Sequence, residues 1–310
     1  MKINMYIIGH KNPDTDAIVC ALIAADYFTQ LGMEVTPIRL GELNKETEFI
    51  LKHLGIQAPE LKTELEQDAK ICLVDHNEKS QSIDELEKYQ IEWIIDHHKF
   101  SLNTATPLNI RAESLASTAS VLYKMYIEND LEISKKIAKL MICGILSDTL
   151  YFRSPTTTTI DKQIALALNE IAGFEDLEAF SLQMFDAKSD LSDFSAREIV
   201  TLDYKPFEFN GKKVNIGVME TTNPKFALDI KSDILEAMKQ EKLEQGLDGI
   251  LFVAVDILNE KGTAFTLDEF EINMIESAFD SKKLEDNLFD IGSVVSRKKQ
   301  IVPKLESYFA

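Results

Sequence analysis

The sequence predicts an α/β protein. An N-terminal domain with a mainly parallel sheet flanked by helices precedes a smaller C-terminal α/β domain with a mixed sheet. Three observations predict it. Apolar runs of strand character alternate with amphipathic helical stretches over residues 5–173, the pattern of a parallel sheet with helices on its faces. Three of those runs, 5–8, 71–74 and 91–95, end directly in clusters of Asp and His, where open parallel sheets place their ligands. Beyond residue 194 the texture changes, and Asn210-Gly211 sits between two β-type runs as a hairpin signal.

In order along the chain, the strand at 5–8 leads into a helix rich in Ala, Ile and Leu at 17–31, closed by Gly32. A strand at 35–40 and a helix at 44–54, stopped by Gly55, follow. The strands at 71–74 and 91–95 flank a helical stretch at 82–89. Helices are then expected at 115–127, 133–146 and 159–172, the last ending at Gly173. Residues 1–188 form the first domain, 189–194 a polar linker, and 195–310 the second domain. In the second, strands at 214–219 and 250–257 bracket one long helix at 224–245, and a terminal helix follows Pro303.

At 310 residues the chain can fill two cores, and 45% hydrophobic with 27% charged residues is ordinary globular composition. No apolar stretch approaches the roughly 18 to 20 residues of a membrane span. The start lacks the basic, apolar, small-residue succession of a signal peptide. Cys20, Cys72 and Cys143 are odd in number and set in apolar context, which suits free thiols in a reducing cytoplasm. A net charge of −19 gains nothing from counterion release and weighs against nucleic-acid backbone as a partner. A small, highly charged anion remains possible where metals and local cations neutralise it.

Four clusters carry the chemistry: His10-Lys11-Asn12-Pro13-Asp14-Thr15-Asp16, Val74-Asp75-His76-Asn77, Asp96-His97-His98 and Gly144-Ile145-Leu146-Ser147-Asp148-Thr149. Pro13 stiffens the loop before Asp14 and Asp16, which share a face in extended chain. With His10 nearby, these carboxylates suit a pair of divalent ions roughly 3.5–4 Å apart. Taken alone, Asp14 or Asp16 also suits a helix cap, and Asp75 a turn. His97 and His98 should point to opposite sides, so one suits a metal and the other a substrate, with Asp96 holding a ring. Asp148, near a helix C-terminus, calls for a compensating positive charge. His53 and His76 read as structural or as supports behind a ligand rather than as catalytic, and Trp93 as core, while 117–120 and 154–159 read as helix N-termini. Ser296-Arg297-Lys298-Lys299-Gln300 is a rare basic run in so acidic a chain, either a phosphate grip or a solvated turn.

In this order and spacing the motifs resemble the family II inorganic pyrophosphatases of the DHH phosphoesterase superfamily, over essentially the whole chain. Asp96-His97-His98 marks the superfamily, and Ser296 to Gln300 narrows it. The resemblance implies that residues 1–188 are the metal-binding catalytic domain and 195–310 the substrate-binding domain, with the active site in the cleft between them. It implies one ion on His10, Asp14 and Asp75, and another on Asp16, Asp75, His97 and Asp148, with Asp75 bridging. His98, Lys205, Arg297 and Lys298 would bind pyrophosphate, with His98 protonated and catalytic. The family takes two Mn²⁺, or Co²⁺ in their place, uses Mg²⁺ with the substrate, and forms homodimers. It attacks pyrophosphate with a water bridging the two ions as the cleft closes. The alternatives are a DHH-type phosphoesterase or exopolyphosphatase acting on nucleotides or short polyphosphate, and a metal-binding protein without activity. The first would carry a glycine- and histidine-rich motif in the second domain, which 195–310 lacks. The second would need a lost ligand, and all six are present.

Overall fold

The computed structural model describes residues 5–104, 106–294 and 296–310. They divide into two compact units, Met1–Lys188 and Ser189–Ala310. The first holds strands β1 (Met5–Ile8), β2 (Val35–Arg39), β3 (Glu60–Leu61), β4 (Lys70–Val74), β5 (Gln90–Asp96) and β6 (Asn109–Ala112). Its helices are α1 (Thr15–Gln30), α2 (Lys45–Leu54), α3 (Thr118–Glu128), α4 (Lys135–Thr149), α5 (Thr159–Ala172) and α6 (Leu177–Lys188). The strands pair in the order β3-β2-β1-β4-β5-β6, every pair parallel. Ile7, Ile8, Ile71, Cys72, Leu73 and Val74 are completely buried, as central strands covered on both faces require. Side-chain caps start the helices where the sequence offers Asp, Asn, Ser or Thr: Asp14 for α1, Asn44 for α2, Ser117 for α3, Ser134 for α4 and Thr158 for α5.

The helix expected at 82–89 does not form. In its place lie two single 3₁₀ turns, Lys79–Gln81 and Leu86–Lys88. Eight residues gain little from helix propagation, and this segment is held by tertiary contacts instead. Ser82 meets the buried ring of His76 at 3.0 Å, while Ile83 and Leu86 enter the core.

The second unit comprises α7 (Ala196–Thr201), β7 (Tyr204–Phe209), β8 (Lys212–Thr221), α8 (Lys225–Asp229), α9 (Lys231–Glu244), β9 (Gly249–Asp256), β10 (Lys261–Phe265), α10 (Glu269–Ala278), β11 (Lys282–Glu285), β12 (Leu288–Asp290) and α11 (Val302–Phe309). Its sheet runs β11-β12-β10-β9-β8-β7, with β8 and β9 parallel and the other pairs antiparallel. Asn210 and Gly211 both take positive φ, 48° and 79°, the geometry of the turn that matches strand twist between β7 and β8. Alternation along β9 builds two cores. Leu251, Val253 and Val255 face one cluster with α10 and α11, and Ile250, Phe252 and Ala254 face another with α7 and α9. The single helix expected at 224–245 is broken. Ile230 leaves helical geometry (φ −106°, ψ 23°) between α8 and α9 and packs its side chain on the second cluster. Among the described residues no helix is long and apolar enough to cross a membrane.

Candidate metal centre

The strand order reverses between β1 and β4, which makes their carboxyl ends a topological switch point with a crevice. His10, Asp14 and Asp16 follow β1, Asp75 follows β4, and His97 and His98 follow β5 one strand further out. Asp148 arrives from the last turn of α4, which packs on α1. That approach depends on Gly144. A Cβ there would lie 2.4 Å from Asp16 Oδ1 and 3.1 Å from Ala119 Cβ.

The side chains converge around Asp75. His10 Nε2 lies 3.5 Å from Asp14 Oδ1 and 3.6 Å from Asp75 Oδ2. His97 Nε2 lies 3.4 Å from Asp75 Oδ1 and 3.9 Å from Asp148 Oδ2. Three groups offer donor atoms within 4.8 Å of one another: His10, Asp14 and Asp75; Asp16, His97 and Asp148; and Asp75, His97 and His98. The two histidines do not diverge as strand alternation would have them. β5 ends at Asp96, so alternation no longer applies, and the rings lie 4.0 Å apart at 54°. Their outer nitrogens have different partners. His97 Nδ1 meets the Leu115 carbonyl at 2.9 Å, and His98 Nδ1 meets Asp96 Oδ1 at 2.9 Å.

The electrostatics are those of crowded acids. Burial, then the charge of Asp16, pushes Asp75 and Asp148 well above the usual carboxylate range. Burial opposes charge on Asp14 too, but the His10 contact outweighs it and Asp14 ends below the usual range. Burial would lower His10, yet Asp14 and Asp75 leave it raised. His98 is raised through its hydrogen bond to Asp96. Imidazole and carboxylate donors at this density fit divalent transition ions, whose charge would offset the repulsion.

His76 lies behind these donors, its ring edge-on to His10 with centroids 6.3 Å apart. Burial holds it neutral at about 4, with its ring between the Val74 carbonyl and Ser82. His53 stacks against Phe49 and Phe180, and half-buried Trp93 packs on Phe28. His53 and His76 act as structural residues, as their sequence context implies, whereas Trp93, expected in the core, is only half-buried.

In the second unit Lys205 on β7 and Arg297 and Lys298, in a π-helical turn Arg297–Ile301, line one pocket of about 430 Å³. Arg297 is not a solvated cation. Its guanidinium donates to the Asp203 carbonyl at 2.6 Å and to Asp203 Oδ1 at 2.8 Å. Asp203 carried no signal in the sequence beyond lying two residues before Lys205. Lys299 lines a different pocket, with Lys304 and Tyr308.

A parallel sheet with this acidic and histidine set at its switch point, followed by a mixed-sheet unit, defines the DHH class of proteins. Residues 4–145 match the DHH family N-terminal domain and residues 182–308 the DHHA2 domain. The chain is 44% identical to a Deinococcus radiodurans protein named "Probable manganese-dependent inorganic pyrophosphatase", over 98% of each chain. It is 41% identical to the manganese-dependent inorganic pyrophosphatase of Methanocaldococcus jannaschii, over 97% of this chain and 98% of that one. A crystal structure described as that of a "Methanococcus jannaschii putative family II inorganic pyrophosphatase" aligns with a TM-score of 0.64 at 40% identity, covering 98% of this chain and 99% of that one. The chain belongs to the manganese-dependent, family II inorganic pyrophosphatases.

Proposed function

We propose that this protein hydrolyses inorganic pyrophosphate to two phosphates at a two-manganese centre in its first unit. The observation that carries this reading is the sharing of Asp75 between overlapping donor groups. One ion is assigned to His10, Asp14 and Asp75, and the other to Asp16, Asp75, His97 and Asp148. When bound, such a pair supplies an acidified water and draws charge from the phosphoryl oxygens. Water adds to one phosphorus as the bond from that phosphorus to the bridging oxygen breaks, and the leaving phosphate takes up a proton.

The chain's own residues do the rest. His98 donates its Nδ1–H in a hydrogen bond to the Asp96 carboxylate and, as an imidazolium, keeps Nε2–H free to donate to pyrophosphate. Lys205, Arg297 and Lys298 neutralise substrate charge, with Asp203 holding the Arg297 fork in place. The first unit is thus the catalytic domain, residues 195–310 bind substrate, and the segment 189–194 links them. Two imidazole donors favour Mn²⁺, with Co²⁺ as substitute, over Mg²⁺, which accompanies the substrate. The three buried free cysteines suit the cytoplasm. Family resemblance supports a homodimer, which light scattering of the purified protein tests.

The function is tested by stripping the protein with chelator and assaying phosphate release. Mn²⁺ or Co²⁺ should restore turnover of pyrophosphate far better than Mg²⁺ alone. Full recovery with Mg²⁺ alone would count against the histidine ligands. Faster release from nucleotides or tripolyphosphate than from pyrophosphate would move the protein to another substrate class.

A further inference from the structure

Three of the proposed ligands come from three different elements, yet one short stretch holds them all. The Leu115 carbonyl accepts from His97 Nδ1 at 2.9 Å. Ser117 Oγ donates to Asp16 Oδ1 at 2.8 Å, and the Thr118 N–H donates to Asp16 Oδ2 at 2.7 Å. Thr118 Oγ1 donates to Asp75 Oδ1 at 2.9 Å. Capping α3 requires only the bond from the Ala119 N–H to Ser117 Oγ, which is present at 3.0 Å. The other contacts serve residues outside that helix.

The stretch is itself clamped from behind. Asp161 accepts from the Ala116 N–H at 3.1 Å and from Ser120 Oγ at 2.6 Å. The same carboxylate closes the cap of α5 through the N–H of Thr158 at 2.9 Å and its hydroxyl at 2.6 Å. Asp16, Ser117, Thr118, Ser120 and Asp161 have no exposed surface. A carboxylate so deeply buried is tolerable only with its donors in place, so Asp161 leaves the stretch little freedom.

We propose that residues 115–118, clamped by Asp161, are a strap that sets the affinity of the metal centre, an inference that rests on the two-metal reading above. A backbone carbonyl can only accept, so Leu115 forces the His97 proton onto Nδ1 and leaves the Nε2 lone pair facing Asp75 and Asp148. Donors from Ser117 and Thr118 fix the planes of the Asp16 and Asp75 carboxylates. Thr118 and Asp161 are positioning residues that touch neither ion nor substrate.

Thr118→Val keeps shape and removes one donor, and Thr118→Ser restores it. Mn²⁺ titration, followed by electron paramagnetic resonance of the free ion, reads affinity without relying on activity. Thr118→Val and Asp161→Ala should each bind Mn²⁺ about 10–100-fold more weakly, with wild-type affinity in Thr118→Ser and an unchanged KM for pyrophosphate at saturating Mn²⁺. If Asp161→Ala does not fold, Ser120→Ala removes one arm of the clamp and should shift affinity in the same direction. Variants with lowered melting temperature but wild-type Mn²⁺ affinity would make the strap a plain structural brace and overturn the proposal. Wild-type protein that binds no Mn²⁺ would overturn the metal-centre reading itself, a different result from variants that match a binding wild type.

Discussion

Asp75 takes a left-handed backbone conformation, φ 62°, directly after the buried run Ile71 to Val74. Asp tolerates that conformation better than most residues, and its carboxylate lies at the carboxyl end of this central strand within reach of both His10 and His97. Its neighbours in the site are separable by substitution. His97→Ala should lose bound metal, whereas His98→Ala should keep two ions and turn over slowly, because Asp96 and the substrate are its partners. Metal content of the two variants decides this, and the reverse pattern would exchange their roles. Lys298→Ala should lower kcat/KM by roughly one to two decades, from about 1.5–3 kcal/mol for a lost charge-assisted contact. Arg297→Ala should lose a comparable amount, since the half-exposed Asp203 it leaves behind stays hydrated, and Lys299→Ala should matter less. Wild-type kinetics in both the Arg297 and Lys298 variants would remove the basic pocket from catalysis. The ligands themselves were legible because Asp and His at strand ends are conspicuous. Ser117, Thr118 and Asp161 were not, because polar residues in the first turn of a helix look the same whether or not they also brace a neighbour.

At the scale of elements, the packing of α4 against α1 brings Asp148 to Asp16, and Gly144 is the residue that permits it. Gly144→Ala pits two effects against each other. Alanine favours a helix over glycine by about 1 kcal/mol. Its Cβ, however, would overlap an Asp16 carboxylate that is already fixed by Ser117 and Thr118, so the overlap cannot relax by a side-chain swing. Overpacking of about 1–3 kcal/mol should win. The expected outcome is a lower melting temperature in chelator together with weaker Mn²⁺ binding. A higher melting temperature with unchanged affinity would mean that Asp16 moves more freely than its donors allow. Elements of this kind, apolar and well capped, were readable from periodicity alone. β6 was not, because its four residues form a largely exposed edge strand. The 79–88 segment misled for the opposite reason, since helix-like spacing of Ile83 and Leu86 arises there from two separate turns pinned to the core.

Over the whole molecule, 52 acidic against 33 basic side chains give a strongly negative protein that concentrates more negative charge in its own crevice. The raised groups there predict how stability follows pH. Asp75 and Asp148, raised by burial and then by Asp16, stabilise the fold while protonated and lose that contribution as pH climbs through their folded pKa values. Raised His10 and His98 act with the same sign. His76 acts oppositely. Held at about 4, its contribution is present above its ordinary value of about 6.5 and is lost only as pH falls below that. Asp14 and Asp96, both lowered, respond only below the usual carboxylate range. Between about pH 6.5 and 8 His76 no longer responds while raised His10 and His98 still lose their contribution, so chelated protein should melt at a lower temperature at the higher pH. Mn²⁺ displaces protons from the same ligands and binds more tightly as pH rises, so loaded protein should show the trend flattened or reversed. Paired melting curves in chelator and in Mn²⁺ provide the measurement. A chelated protein that gains stability over this interval would show that the crevice carboxylates are already ionised and compensated by the fold alone, leaving the ions no repulsion to relieve.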